Sequence, residues 1–209
     1  MESGERLSAR SPREGPGIPS VAPALQRDVN KPRIAIIISS VRPTRIGPKV
    51  AEWILSQAPD DVDAEIVDLA EVNLPLFQDA EMPGKGTYDQ PTTIAWAERV
   101  ASYDGFIIAL AEYNGGYTAA LKNAIDTVGP QWRGKPIGLV SYGAYGGGRA
   151  VTAMEPVIST LRAHRIVGPE LKFGEQLGYD GTFTDAPDSA LADLYAQVMA
   201  VIEADERAA

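Results

Sequence analysis

The chain has 209 residues, 44% hydrophobic and 7% aromatic, and its 28 acidic side chains against 19 basic ones give a formal net charge of -9. That length suits one domain with a full core, and no apolar run approaches the roughly 18 residues that a membrane helix requires. The absence of cysteine excludes disulfides, thiolate metal sites and cysteine nucleophiles, so nothing asks for an oxidising compartment and the cytoplasm is the expected location.

Residues 1–30, MESGERLSARSPREGPGIPSVAPALQRDVN, lack the continuous apolar stretch of a signal peptide and are rich in Ser, Pro, Gly and Arg, which predicts a disordered N-terminal extension. Arg6, Arg10, Arg13 and Arg27 balance Glu2, Glu5, Glu14 and Asp28 there, so the whole net charge falls on residues 31–209, the expected folded domain. An acidic body repels a polyphosphate backbone and argues against a nucleic-acid partner, while leaving room for a local basic pocket that holds one small phosphate.

KPRIAIIISS reads as a strand buried on both faces, and GPKVAEWILSQ follows with helical spacing, placing Val50, Trp53 and Ile54 on one side. DAEIVDL predicts a second strand, TTIAWAERVAS a second helix, DGFIIAL a third strand, TAALKNAIDTV a third helix and KPIGLVSY a fourth strand. The next helix, RAVTAMEPVISTLRAHR, carries Pro156 in its interior, which predicts a kink or an unpaired carbonyl. A short fifth strand is expected at Arg165–Val167 or slightly later at Glu170–Phe173, and PDSALADLYAQVMAVIEADER closes the chain as an amphipathic helix. Regular alternation of five strands and five helices predicts a three-layer α/β sandwich around a five-stranded parallel sheet, in the flavodoxin-like order 2-1-3-4-5.

In that order the loops after strands 1, 3 and 4 converge at the crevice where ligands bind. SSVRPTRIG offers Ser39, Ser40, Thr44 and helix-end amides beside Arg42 and Arg45, a pattern suited to a phosphate without a metal. The bland alternative is that the serines end a strand and the arginines are solvated. AEYNGGYT supplies Tyr113, Asn114, Gly115 and Gly116, either an ordinary turn or a close backbone approach to a flat ligand. SYGAYGGGR repeats that logic with Ser141, Tyr142, Gly143 and Gly146. Two aromatic and glycine loops facing one phosphate loop describe a mononucleotide with a broad ring.

YNGGYTAALKNAID, GKP, VSYGAYGGGRA and SSVRPTRIG together resemble the NADPH-dependent FMN reductase family of flavodoxin-like flavin, quinone and azo reductases. The likeness spans residues 33 to about 175. It implies that Ser40, Arg42 and Arg45, with amides near Ile46 and Gly47, hold the FMN phosphate. It further implies that Glu112, Tyr113, Asn114 and Gly115 lie along the isoalloxazine, with Ser141, Tyr142, Gly143 and Gly146 on its other flank. NADPH or NADH is the implied reductant, a flavin, quinone or similar small molecule the acceptor, and a homodimer or homotetramer the implied assembly. Ser39 stands where the family has glycine, and Ala111 and Thr118 stand where it has proline.

Other signals are set aside. GPQWRGK imitates a phosphate-binding P-loop, but Pro136 occupies the Ser/Thr position and the motif precedes a strand. His164, the sole histidine, has no companion for a metal or triad and is expected to act as a cation near a helix C-terminus. Lys122, Asn123 and Asp126 read as the polar face of a helix. No side-chain acid or base is required of a flavin reductase, because the redox chemistry belongs to the cofactor. The rival readings are an electron-carrier flavodoxin and a same-fold reductase devoted to a biosynthetic intermediate or to supplying reduced flavin to a monooxygenase. The long segment Leu69–Gln90 is expected to lie over the site or against another subunit, with Phe77 or Tyr88 able to cover the partner's flavin.

Overall fold

The computed structural model describes residues 31–208; the expected N-terminal extension, residues 1–30, lies outside the described residues. Five strands, β1 (Arg33–Ile38), β2 (Asp63–Asp68), β3 (Gly105–Ala111), β4 (Pro136–Gly143) and β5 (His164–Lys172), form one sheet in the order β2-β1-β3-β4-β5. Every pairing is parallel. The helices are α1 (Gly47–Ser56), α2 (Leu69–Val72), α3 (Pro91–Ala101), α4 (Ala119–Asp126), α5 (Gly148–Leu161) and α6 (Asp188–Ala208). Side chains alternate across a strand, so Ile34, Ile36 and Ile38 of β1 pack with Val50 and Ile54 of α1 and Leu194 of α6. Ala35 and Ile37 meet the opposite layer, with Trp96 of α3, Leu121 of α4 and Met154 of α5.

Two departures from the expected elements have physical causes. The fifth strand is neither of the two short candidates but one strand that takes in the first and all of the second except Phe173, with a register shift opposite Leu139/Ser141. Gly168 and Pro169 read as a break, yet an edge strand tolerates proline at an irregularity, and Gly168 is needed because a Cβ there would come within 2.7 Å of Leu194 Cδ2. The extra helix α2 is a single turn whose N-cap, Asp68, accepts from Ala70 N–H; four residues are too few to show a helical period. α5 continues through Pro156. His164 opens β5 and is exposed, its backbone N–H donating to Lys135 carbonyl.

Asn123 holds the start of the long second connection, donating to Leu74 and Pro75 carbonyls and accepting from Phe77 N–H. Buried Asp79 gathers its end, accepting from Asp89 N–H, Gln90 N–H and Thr93 Oγ1. Tyr88 donates to Gln131 and accepts from Gly129 N–H. The segment therefore lies along α4 and reaches the amino edge of the sheet, and does not overlie the loops after strands 1, 3 and 4 of its own chain.

At the amino edge Glu65 accepts from Arg33 (2.8 Å), Arg99 (2.9 Å) and Tyr103 (2.8 Å). Burial pushes its pKa up, but the hydrogen bonds from Tyr103 and Arg99 and the charges of Arg99 and Arg33 outweigh burial, and the net shift is downward. A depressed carboxylate contributes stability that is present above the unfolded-state value and lost as pH falls through the folded one. Glu65→Gln is expected to lower stability at pH 7 by about 1 kcal/mol, as for a partly exposed ion-pair network. Denaturant melts at pH 7 and pH 3 check this, since the gap to wild type should narrow at the acid end; a gap independent of pH would show that the charge is not what matters.

Candidate active site

The loop after β1, residues 39–46, is anchored before it begins. Ser39 is fully buried, its Oγ donating to Ala109 carbonyl (2.7 Å) and accepting from Ala111 N–H (2.9 Å). Its hydroxyl is thus committed to β3 and leaves the anion-donor set in which the sequence placed it. Ser40 is also buried, and Tyr142 from the end of β4 donates to its Oγ at 3.1 Å. With Oγ already accepting, the Ser40 hydroxyl proton remains for an outside acceptor. Burial pushes the Tyr142 phenol up to about 12, against smaller opposing effects of the Ser40 bond and of Arg45 and Arg42, so it stays a donor throughout the physiological range.

Helix α1 begins at Gly47 with Ile46 as an N-cap that provides no side-chain cap, and no acid occupies its first turn. The positive end of its dipole is open to an anion. Arg45 pairs with Asp68 (2.6 Å), and Arg42 is exposed, with its guanidinium carbon 5.9 Å from the centre of the Tyr113 ring. Arg45 Nε and Tyr113 Oη are buried with no hydrogen-bond partner among the described residues. Buried donors of this kind call for an acceptor from outside the protein. Open amides, an exposed arginine, the Ser40 hydroxyl and two orphaned polar atoms fit the phosphate of a mononucleotide.

In the second loop Tyr113 and Gly116 exchange backbone hydrogen bonds of 2.8 and 3.0 Å, and the residues between them have φ of 51° (Asn114) and 78° (Gly115). Reciprocal bonds around two positive-φ residues make a type I′ turn, so Asn-Gly here satisfies a local backbone demand. In the third loop Ser141 Oγ donates to Gly146 carbonyl at 2.7 Å. Gly146 and Gly147 have φ of 82° and 87°, and a Cβ at Gly147 would meet Ser141 Cβ and Tyr142 N at 2.8 Å. Ser141 and Tyr142 therefore shape the loop from beneath, while Tyr145 stands 73% exposed at its tip.

Helix α5, which follows this loop, has the opposite dressing to α1. Arg149 N–H donates to Glu112 Oε2 (3.3 Å), and both Glu170 carboxylate oxygens lie 3.3 Å from where a Cβ on Gly148 would stand. Two carboxylates already answer the dipole of α5, so of the two helix ends at the crevice only α1 is free for a phosphate. Asp68 as the partner of Arg45 and Glu170 at α5 are functional residues that the sequence reading missed. The usable signal was an acid at the carboxyl end of each outer neighbour strand.

A parallel sheet in the order 2-1-3-4-5 with a phosphate-fitted loop at the switch point defines a flavodoxin-like α/β protein. A family model for NADPH-dependent FMN reductase matches residues 32–178, and the chain belongs to that family: it is an oxidoreductase whose cofactors are FMN and NAD(P)H. It is 38% identical over 135 residues to an NAD(P)H-dependent FMN reductase of Schizosaccharomyces pombe, spanning 63% of this chain and 68% of that one. An NAD(P)H-dependent FMN reductase of a Nectria species is 36% identical over 169 residues, spanning 77% and 84%. The solved structure of FerB, a flavoenzyme NAD(P)H:(acceptor) oxidoreductase from Paracoccus denitrificans, superposes with a TM-score of 0.60 at 21% identity, over 82% of this chain and 96% of that one; at that identity it speaks for the fold alone.

Gly47 is the tightest point of the site: a Cβ there would lie 2.4 Å from Ser40 Oγ and 2.9 Å from Tyr142 Oη. Gly47→Ala is expected to destabilise the protein by about 1–3 kcal/mol through overpacking and to weaken FMN binding at least tenfold. Thermal melts and quenching of flavin fluorescence measure the two effects. Wild-type affinity in this variant would show that the Ser40–Gly47–Tyr142 contact does not shape the phosphate loop.

Proposed function

We propose that this protein oxidises NAD(P)H and reduces a small acceptor, a flavin or a quinone, with FMN as its resident cofactor. The observation that carries the reading is the acid-free, uncapped start of α1, set between Arg42 and Arg45 beside two buried polar atoms without partners. Ser40, Arg42, Arg45 and the amides at Ile46 and Gly47 hold the phosphate; Glu112, Tyr113, Asn114 and Gly115 border the ring on one side, and the loop from Ser141 through Tyr142 and Gly143 to Gly146 borders it on the other. FMN, when bound, supplies the two-electron chemistry. The chain's own work is to seat the ring rigidly, to leave one face open, and to present backbone N–H groups to negative charge. Among the described residues no cluster of His, Cys, Asp and Glu suits a metal.

A second copy of the chain is the proposed partner. A cavity of about 470 Å³, lined largely by apolar residues including Phe77, Pro83, Ile125, Val128 and Leu161, lies at the amino edge, away from the three loops. Leu76 and Met82 beside it are 77% and 69% exposed, which supports covering of this face by another subunit. No helix among the described residues is long and apolar enough to cross a membrane, and the cytoplasm is the proposed location.

The purified protein is expected to bind FMN at micromolar concentration and, once loaded, to consume NADPH in the presence of menadione or riboflavin. Failure to bind FMN overturns the reading, whereas binding without NADPH turnover favours an electron carrier. Arg42, having no carboxylate partner, isolates the phosphate contact. Arg42→Gln should weaken FMN at least tenfold, the scale of one charge-assisted hydrogen bond, while riboflavin, which lacks the phosphate, binds within about twofold of wild type. An equal loss for both ligands would move the phosphate away from Arg42.

A further inference from the structure

We infer that Arg149 and Tyr145 form a second nucleotide subsite, which takes a phosphate and the adenine ring of the reductant. Arg149 lies in the first turn of α5 with its guanidinium carbon 5.7 Å from the centre of the Tyr145 ring. Its Cδ sits 3.6 Å from where a Cβ on Gly115 would stand, so the side chain spans the tips of the second and third loops. Tyr145 is carried outward by the turn that Gly146 N–H closes on Gly143 carbonyl (3.2 Å) and is 73% exposed.

The charge of Arg149 is unclaimed. The nearest carboxylates, Glu112 and Glu170, face the backbone of the first turn of α5, and among the described residues no ion pair within 4.0 Å reaches this guanidinium. An exposed arginine stacked near an exposed tyrosine grips an anion by its fork and a base by the ring. FMN has one phosphate, and the open end of α1 accounts for it. Its oxidised ring is uncharged and offers no second anion. The loops after β1 and β4 stand on either side of β3, two strand spacings or roughly 10 Å apart. A second arginine and tyrosine pair across the ring's seat from the first therefore calls for a second phosphate-bearing ligand, and a dihydronicotinamide dinucleotide supplies both phosphate and adenine.

The inference rests on the reading of the protein as an NAD(P)H-dependent reductase. Its test uses FMN-loaded protein and two reductants, NADPH and N-benzyl-dihydronicotinamide, which keeps the reacting ring but has neither phosphate nor adenine. Arg149→Gln is expected to raise the KM for NADPH about tenfold and Tyr145→Ser about threefold, while the saturated rate, FMN affinity and the rate with the truncated reductant keep their wild-type values. An unchanged KM for NADPH overturns the inference, as does an equal loss with both reductants, which marks a purely structural role for the loops. A change seen only in the KM of an anionic acceptor such as ferricyanide overturns it too, by giving the subsite to the acceptor. Wild-type protein that NADPH does not reduce removes the parent reading along with the inference; normal wild-type reduction with indifferent variants removes the inference alone.

Discussion

Ser39 ties the carboxyl end of β1 to β3 through its buried hydroxyl, and its carbonyl accepts from Thr118 Oγ1 at 2.6 Å. Thr118 in turn caps α4 by accepting from Leu121 N–H at 3.2 Å. Three chain segments are thereby fixed at the one place where the winding of the sheet reverses. Glycine at 39 has no hydroxyl to give β3, and proline at 118 has none to give Ser39. Two of the three departures from the family pattern, Ser39 and Thr118, are thus linked: stiffness that proline supplies through its ring is supplied here by buried hydrogen bonds. The distance between the phosphate loop and the Tyr113–Gly116 turn depends on that clamp.

Loops fixed in this way still need a reason to bind an anion at one point and not another. Two helices start at the crevice, and a dipole alone would favour phosphate at both. Glu112 and Glu170 satisfy α5, whereas α1 meets only arginines. Asp68 sharpens the contrast: by pairing with Arg45 at 2.6 Å it fixes the guanidinium in place and leaves Nε unpartnered, and Arg42 keeps its full charge. Side chains around the helix ends, more than the helices themselves, decide which end is left open to an anion.

Apolar runs disclosed β1, β3 and β4, because burial on both faces leaves a signature within each short segment, and alternation disclosed the winding. Convergence of three loops followed from strand order alone. What a given side chain does inside those loops depends on partners far along the chain. Ser39 and Ser40 look equivalent in sequence, yet one is committed to Ala109 and Ala111 and the other keeps a free proton. Tyr142 belongs to β4, which is buried on both faces, so periodicity cannot say which way it points; its hydroxyl meets Ser40. Asn114-Gly115 was legible as a turn because the positive φ it requires is a local property.

The chain's net charge of -9 is at odds with two anionic nucleotides at one edge only if charge is averaged over the molecule. Arg33 and Arg99 at the amino edge are paired with Asp63 and Glu65. At the carboxyl edge Arg42 and Arg149 have no acid partner, and Lys49 donates to the neutral carbonyl of Asp180 at 2.8 Å. Salt screens charges beyond about 8 Å at physiological ionic strength. A phosphate arriving at the crevice is therefore governed by the charges within that range, the unpaired Arg42 and Arg149 together with Glu112 and Glu170 at the start of α5, and the more distant acids are largely hidden from it. The same screening predicts that binding depends more on the state of two arginines than on the sum of the chain's charges.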